Sequence, residues 1–107
     1  MGRKFEHRGT VAVAALMVIR WSSKALSDLT RLHAFLAPAN KLAAARTVLS
    51  LTTAPTTLLT NPRIGEQLEV FLPREVRRIL VGQYEMRYEI QASVIHVLRL
   101  WHTRETR

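Results

Sequence analysis

At 107 residues with 48% apolar side chains, the chain is sized for one domain with a modest core. Sixteen basic against eight acidic residues give a formal charge of +8, which draws polyanions or acidic partners by long-range steering without specifying which. The absence of cysteine excludes disulfide frameworks, thiol catalysis and cysteine-based zinc sites, and the four histidines, His7, His33, His96 and His102, lack the spacing of a metal motif.

Residues 1–8 are basic and residues 11–19 form an apolar run that imitates a short signal peptide. No small-x-small cleavage site follows, since the next residues are Arg20-Trp21-Ser22, and the run is too short to cross a bilayer. Residues 1–16 therefore read as an upstream extension ahead of a domain over 17–107. Residues 18–21 form a short strand, and Ser22 or Ser23 can cap the helix after it. Leu26, Leu29, Leu32, Phe35 and Leu36 recur at three- and four-residue steps, with Lys24, Asp28 and Arg31 off that stripe. The helix ends near Ala37-Pro38.

Asn40 can cap a second helix whose apolar face runs through Leu42, Ala45, Val48, Leu49 and Thr52. Alanines at 43, 44 and 45 allow the two helices to approach closely as a helical hairpin. Pro55 should kink or restart the second helix, and Leu58 and Leu59 make a last apolar turn before Asn61-Pro62. Residues 64–73 read as a loop turning at Gly65, with Phe71 as a cover over the core.

From residue 74 the pattern changes to strands. Ile79-Leu80-Val81 is a branched apolar run, Gly82-Gln83 suits a tight II′ turn, and Tyr84, Met86, Tyr88 and Ile90 alternate with polar residues. A second turn at Ala92-Ser93 leads into 94–101, giving a three-strand antiparallel meander. The last strand is apolar at both parities, with Val94, Leu98 and Leu100 on one and Ile95, Val97 and Trp101 on the other. A strand covered on both faces is central, so the first strand should lie beside the last.

Arg77, Arg87 and Arg99 lie on three successive strands and form one basic patch if the register aligns them; guanidinium forks hold phosphates or carboxylates. The plainer alternative is a solvated sheet face with Glu85 and Glu89 as cross-strand partners. Trp101-His102-Thr103-Arg104 is the sharpest local cluster, able to stack on a base and hold a phosphate. His102 could act as a general acid or base, or simply cap the sheet edge beside a core Trp101.

The meander Arg-Arg-Ile-Leu-Val-Gly-x-Tyr-x-x-x-Tyr-x-Ile over 77–90, with its terminal His-Thr-Arg, resembles the RelE/ParE toxins of bacterial type II toxin–antitoxin modules. Val18-Ile19-Arg20-Trp21-Ser22 is similar to the family's first strand, Ala25-Leu26-x-Asp28-Leu29 to the start of its first helix, and Asn61-Pro62-Arg63-Ile64-Gly65 to the close of its second. The resemblance implies an α+β fold, β-α-α-β-β-β, with a helical hairpin packed on a mainly antiparallel twisted sheet. Leu26, Leu29, Leu32, Phe35, Val48, Leu49, Ile79, Val81, Tyr88, Ile90 and Leu98 are the expected core. It makes residues 1–16 consistent with a misassigned start codon. It also implies a cytoplasmic protein without cofactor or metal, held in a hetero-oligomer by a cognate antitoxin with an acidic C-terminal segment.

The family has two activities. RelE-like members are ribosome-dependent mRNA endoribonucleases, and ParE-like members poison DNA gyrase. The ribonuclease branch has Gly-Tyr-Arg in the hairpin where this chain has Glu85 after Tyr84, and no Tyr follows His102 here. The expectation is therefore a ParE-like gyrase inhibitor with no catalytic residues. Arg99, Trp101, His102 and Arg104 would bind the target, and Leu29, Leu32, Arg77 and Arg87 the antitoxin. The alternative is a ribonuclease using Arg78, Arg87, Arg99 and His102. A basic nucleic-acid-binding module is the reading from another class.

Overall fold

The computed structural model describes residues 17–105. The expected extension over 1–16 lies outside the described residues. Strand β1 (Val18–Trp21) leads into helices α1 (Ser23–Leu36) and α2 (Lys41–Thr53), then a 3₁₀ segment over Ala54–Leu59. A two-residue strand β2 (Glu66–Gln67) and a 3₁₀ turn at Glu69–Phe71 precede β3 (Glu75–Val81), β4 (Tyr84–Gln91) and β5 (Val94–His102). The sheet runs β1-β5-β4-β3-β2, with β1 parallel to β5 and every other pair antiparallel. The first strand does lie beside the last, as the two-sided apolarity of residues 94–101 requires. The α+β fold, a helical hairpin on a mostly antiparallel sheet, is the one expected.

Local chemistry sets the element boundaries. Ser22 Oγ accepts from Ala25 N–H at 2.9 Å, and Asn40 Oδ1 accepts from Ala43 N–H at 3.0 Å, so each helix opens on a side-chain cap. Pro55 stands at the start of the 3₁₀ segment, where its missing N–H costs nothing, and ends α2 two residues earlier. In the β3–β4 turn Gly82 has φ +60°, the positive value that the first central position of a II′ turn demands. The β4–β5 turn places Ala92 in the same position at φ 53°, although a Cβ disfavours it. Residues 64–73 are not all loop. Glu66 and Gln67 pair with Arg78 and Arg77 to form the sheet edge.

The helix faces differ from the sequence expectation. On α1, Ala25, Asp28 and Leu32 are buried, whereas Leu26 and Phe35 are exposed at 51% and 81%. The helix is turned toward its one carboxylate, because Asp28 serves the backbone of β5 as described below. On α2, Ala44 and Leu51 are buried while Leu42 and Leu49 face solvent. The buried stripe of α2 continues through Pro55 and Leu58 of the 3₁₀ segment, one helical step round from the one read off the sequence. Of the other expected core residues, Leu32, Tyr88 and Ile90 are buried, and Leu29, Val48, Ile79, Val81 and Leu98 are half-buried.

The core fills the space between hairpin and sheet. Ala25, Leu32, Leu51, Met86, Val97 and Leu100 form its larger cluster, and Leu58, Tyr88, Ile90 and Ile95 the smaller. Residues of β5 at both parities enter it because the register slips by one at a bulge: Tyr88 pairs with Val97, but Arg87 pairs with Arg99. Leu98 is the extra residue, so Val97 and Leu100 face the same way.

Tyr88 also fixes the start of β2. Its hydroxyl donates to Pro62 O at 2.7 Å and accepts from Gly65 N–H at 3.1 Å. A Cβ at Gly65 would lie 2.6 Å from that hydroxyl oxygen and 2.7 Å from Arg78 O. Two substitutions therefore have opposite signs in urea unfolding. Gly65→Ala is expected to destabilise by about 2 kcal/mol or more through overpacking, and Ala92→Gly to stabilise by about 0.5–1 kcal/mol by relieving the positive φ.

Candidate functional site

Strand alternation gives the sheet two unlike faces. Tyr88, Met86, Ile95, Val97 and Leu100 point at the helices. Arg78, Arg87 and Arg99 fall in one register row across β3, β4 and β5 on the outer face. The basic row read from the sequence exists, with one change of membership. Arg77 pairs with Tyr88 and so belongs to the helix side, where its Nη1 donates to Gly65 O at 2.7 Å and its Nε to Glu75 at 2.9 Å. Arg78 takes its place in the row.

Around this row the aromatic and guanidinium groups alternate as a stack. The guanidinium carbon of Arg99 lies 4.9 Å from the Trp101 ring, and that of Arg87 lies 4.7 Å from the same ring. Arg87 also sits 5.3 Å from the Phe71 ring, with Arg74 at 5.8 Å from it. Trp101 is only 7% exposed between its two arginines. Each such contact contributes about 0.5–2 kcal/mol, more as water is excluded. Phe71 thus covers the outer face of the sheet rather than the core.

The same guanidiniums are matched by carboxylates. Arg78 donates to Glu66 at 2.8 Å and to Glu85 at 3.4 Å, and Arg87 lies 3.6 Å from Glu85. Arg74 holds Glu89 with two bonds, at 3.1 and 2.8 Å. These bonds from Arg74 outweigh burial and hold the Glu89 carboxyl below its ordinary range. Glu85 is 1% exposed, a carboxylate sunk among arginines on the outer face. The face can stack and position ligands, but its positive charge is largely spent internally.

Arg99 turns from the row toward α1. Its Nε and Nη2 reach the Asp28 carboxylate at 2.9 and 3.2 Å. Asp28 Oδ2 also accepts from Leu100 N–H at 2.8 Å, and Oδ1 from Arg31 at 3.2 Å. Burial alone would raise the Asp28 pKa; the bonds from Arg99, Leu100 N–H and Arg31 together carry it below the ordinary value. Beyond Val97 no strand among the described residues pairs with β5 on this side, and α1 with its cap supplies partners instead. Ser22 Oγ donates to Leu98 O at 2.8 Å and Arg31 to Leu100 O at 3.1 Å, while Glu105 accepts from His102 N–H at 2.8 Å.

His102 is not with the arginines. It pairs with Tyr84 in register and meets that ring edge-on, with centroids 5.2 Å apart, on the helix side of the sheet. Its Nδ1 accepts from Arg104 N–H at 3.1 Å. The structure therefore brings Arg78, Arg87, Arg99 and Trp101 together on one face and leaves His102 and Arg104 at the other. Leu32 is buried and Leu29 half-buried, so these two offer little surface to a partner. Among the described residues no group of three or more His, Asp or Glu side chains is placed to hold a metal ion. No helix among them is long and apolar enough to cross a membrane. Sequence reasoning set Asp28 off the apolar stripe, Glu85 on a solvated sheet face and Phe71 over the core, and so missed the buried roles of the first two and the face covered by the third. A single acid in an otherwise uncharged helical position, two residues ahead of Thr30, carried no periodic signal, and Glu85 reads as solvated in a strict alternation.

Three comparisons bear on this geometry. The family model described as the ParE toxin of the type II toxin–antitoxin system parDE matches residues 19–107. The toxin RelE2 of Caulobacter vibrioides is 33% identical over 82 residues, covering 77% of this chain and 90% of that protein. Among solved structures, a chain of the chromosomal ParDE TA system from P. aeruginosa matches with a TM-score of 0.69 at 18% identity, covering 81% of this chain and 96% of that one.

Asp28→Asn should cost about 3 kcal/mol in denaturant unfolding, because it strands Arg99 and Arg31 against a neutral amide. The folded pKa of Asp28 lies below its ordinary 3.8, so its contribution is whole above that value and is lost as pH falls through the folded one. The variant's stability should accordingly decline less steeply than that of the parent chain below pH about 4, with Glu75, Glu89 and Glu105 supplying the remaining slope.

Proposed function

Because this chain belongs to the ParE toxin family of type II toxin–antitoxin systems, we propose that it stops growth by inhibiting DNA gyrase and that a cognate antitoxin neutralises it. The observation that carries the choice of target is the placement of His102 on the helix side of the sheet, away from Arg78, Arg87 and Arg99. Cleaving RNA needs a base for the 2′-hydroxyl, an acid for the leaving oxygen and charge for the phosphate in one place. The outer face has the charge, though paired with Glu66, Glu85, Glu89 and Asp28, and its imidazole, His96, stands opposite Glu89, outside the register row of Arg78, Arg87 and Arg99. A protein-binding poison needs none of these. It needs a stable surface, and the segment after Leu100 offers one: His102 and Arg104 sit at its accessible end, while Trp101 and Arg99 anchor it from behind.

The ribonuclease reading keeps two supports. One is the name of the Caulobacter relative, and the other is the arginine row itself. In that reading the row would hold the RNA backbone, with Glu85 as the buried carboxylate beside it.

Parallel assays on the purified chain separate the two. Gyrase-catalysed supercoiling should be inhibited, and mRNA on translating ribosomes should stay intact. His102→Ala should weaken inhibition by less than about 100-fold, the effect expected of an interface contact rather than of a general acid or base. Codon-specific cleavage with normal supercoiling would falsify the gyrase assignment.

A further inference from the structure

We propose that Glu105 and Arg31 are positioning residues, a latch that holds residues 102–104 in the shape that meets the target. This rests on the reading that the segment after Leu100 is the inhibitory surface, and goes beyond it by assigning the groups that set its shape. The segment leaves the sheet with little support. β1 pairs with β5 only as far as Val97, and β4 begins at Tyr84, opposite His102. Residues 103–105 then turn back on the strand. Thr103 N–H donates to Gln83 O at 2.9 Å and Glu105 N–H to His102 O at 3.0 Å. Arg104 N–H donates to His102 Nδ1 at 3.1 Å, and His102 N–H to Glu105 Oε1 at 2.8 Å.

The turn reaches α1 through Glu105. Its Oε2 pairs with Arg31 Nη1, while Arg31 Nη2 donates to Asp28 Oδ1 at 3.2 Å and to Leu100 O at 3.1 Å. Arg31 thus joins the buried Asp28 to the turn. The two Glu105 oxygens have separate partners: one fixes the His102 backbone, and the other ties the turn to the helix. Burial would raise the Glu105 carboxyl, but the bonds from Arg31 and His102 N–H carry it below its ordinary range, so it is charged at neutral pH. With the carboxylate engaged, Thr103 and Arg104 stand exposed and His102 half-buried, its ring edge-on to Tyr84. Groups already held in a fixed relation bind a surface without first losing that freedom. The Arg31 and Glu105 side chains are 41% and 30% exposed, and an ion pair so placed adds little to global stability. Its effect falls on the segment it holds.

The test pairs inhibition of gyrase supercoiling with amide hydrogen exchange, both on the full chain. Glu105→Ala should keep its melting temperature yet raise the concentration for half inhibition about tenfold or more, because a loosened segment must be ordered on binding. Its His102 amide should exchange faster while that of Val97 keeps the parent rate, a local loosening that a general loss of stability would not produce. Glu105→Gln keeps the shape and an acceptor oxygen without the charge, and should fall between the parent chain and Glu105→Ala. Arg31→Gln should weaken inhibition, and adding Glu105→Gln to it should change the result by less than about twofold, since the two act through one bond. Arg63→Ala, which removes an exposed ion pair with Glu75, should inhibit like the parent chain. Parent-like inhibition by Glu105→Ala, or an unchanged His102 amide, overturns the latch while leaving the gyrase reading intact. Losses that multiply in the double variant overturn the pair as its route. Failure of the parent chain to inhibit supercoiling overturns the gyrase reading and the positioning role with it, even where the His102 amide responds.

Discussion

The buried carboxylate of Asp28 is the constraint on which the arrangement of this molecule depends. It lies where α1 crosses the edge of β5, and it satisfies a backbone N–H, Arg99 and Arg31 at once. A buried charge is costly unless its lone pairs are filled, and here each is. The outcome is geometric as much as energetic. α1 takes up its rotation, β5 extends five residues beyond β1 with its edge groups bonded, and Arg99 is drawn toward the β5 edge of the outer face. The C-terminal segment owes its shape to this one contact, since Glu105 completes the same chain of bonds through Arg31.

The outer face follows a different logic. Its arginines stack on Trp101 and Phe71 in the plane of the sheet, and their charges are absorbed by glutamates on neighbouring strands. The stack behaves as a second, thinner core made from amphipathic side chains whose apolar stems and flat heads do the covering. A formal charge of +8 would suggest this face as the seat of the protein's positive field. Among the described residues the helical hairpin instead carries Lys24, Arg31, Lys41 and Arg46 against Asp28 as its one acid.

How much of this could be read from the chain divides along the same line. The strands were legible, including the place of β1 beside β5, because alternation and two-sided apolarity report directly on sheet burial. The caps at Ser22 and Asn40 and the restart at Pro55 were legible for the same local reason. The rotation of α1 was not, since Leu26 and Phe35 complete a better apolar stripe than the true one, and a tertiary bond at Asp28 decided the matter. Arg77 and Arg78 show the limit in the site: adjacent residues on a strand face opposite ways, and only the pairing register says which joins the row. β2 was too short, at two residues, to leave a pattern.

The bulge at Leu98 has a consequence for how such proteins diverge. Upstream of it Ile95 and Val97 face the helices; downstream Leu100 and His102 do. Were β5 regular, the odd-numbered residues would stay inside to the end of the strand. Arg99 and Trp101 would then be driven into the core, and His102 would emerge on the outer face alongside Arg78 and Arg87. A one-residue shift of pairing in this strand is therefore a change of chemical repertoire, moving the His102 imidazole from one side of a wall to the other while every residue is retained. In a scaffold of this kind, what a lineage can do is written less in which residues it keeps than in the register in which they pair.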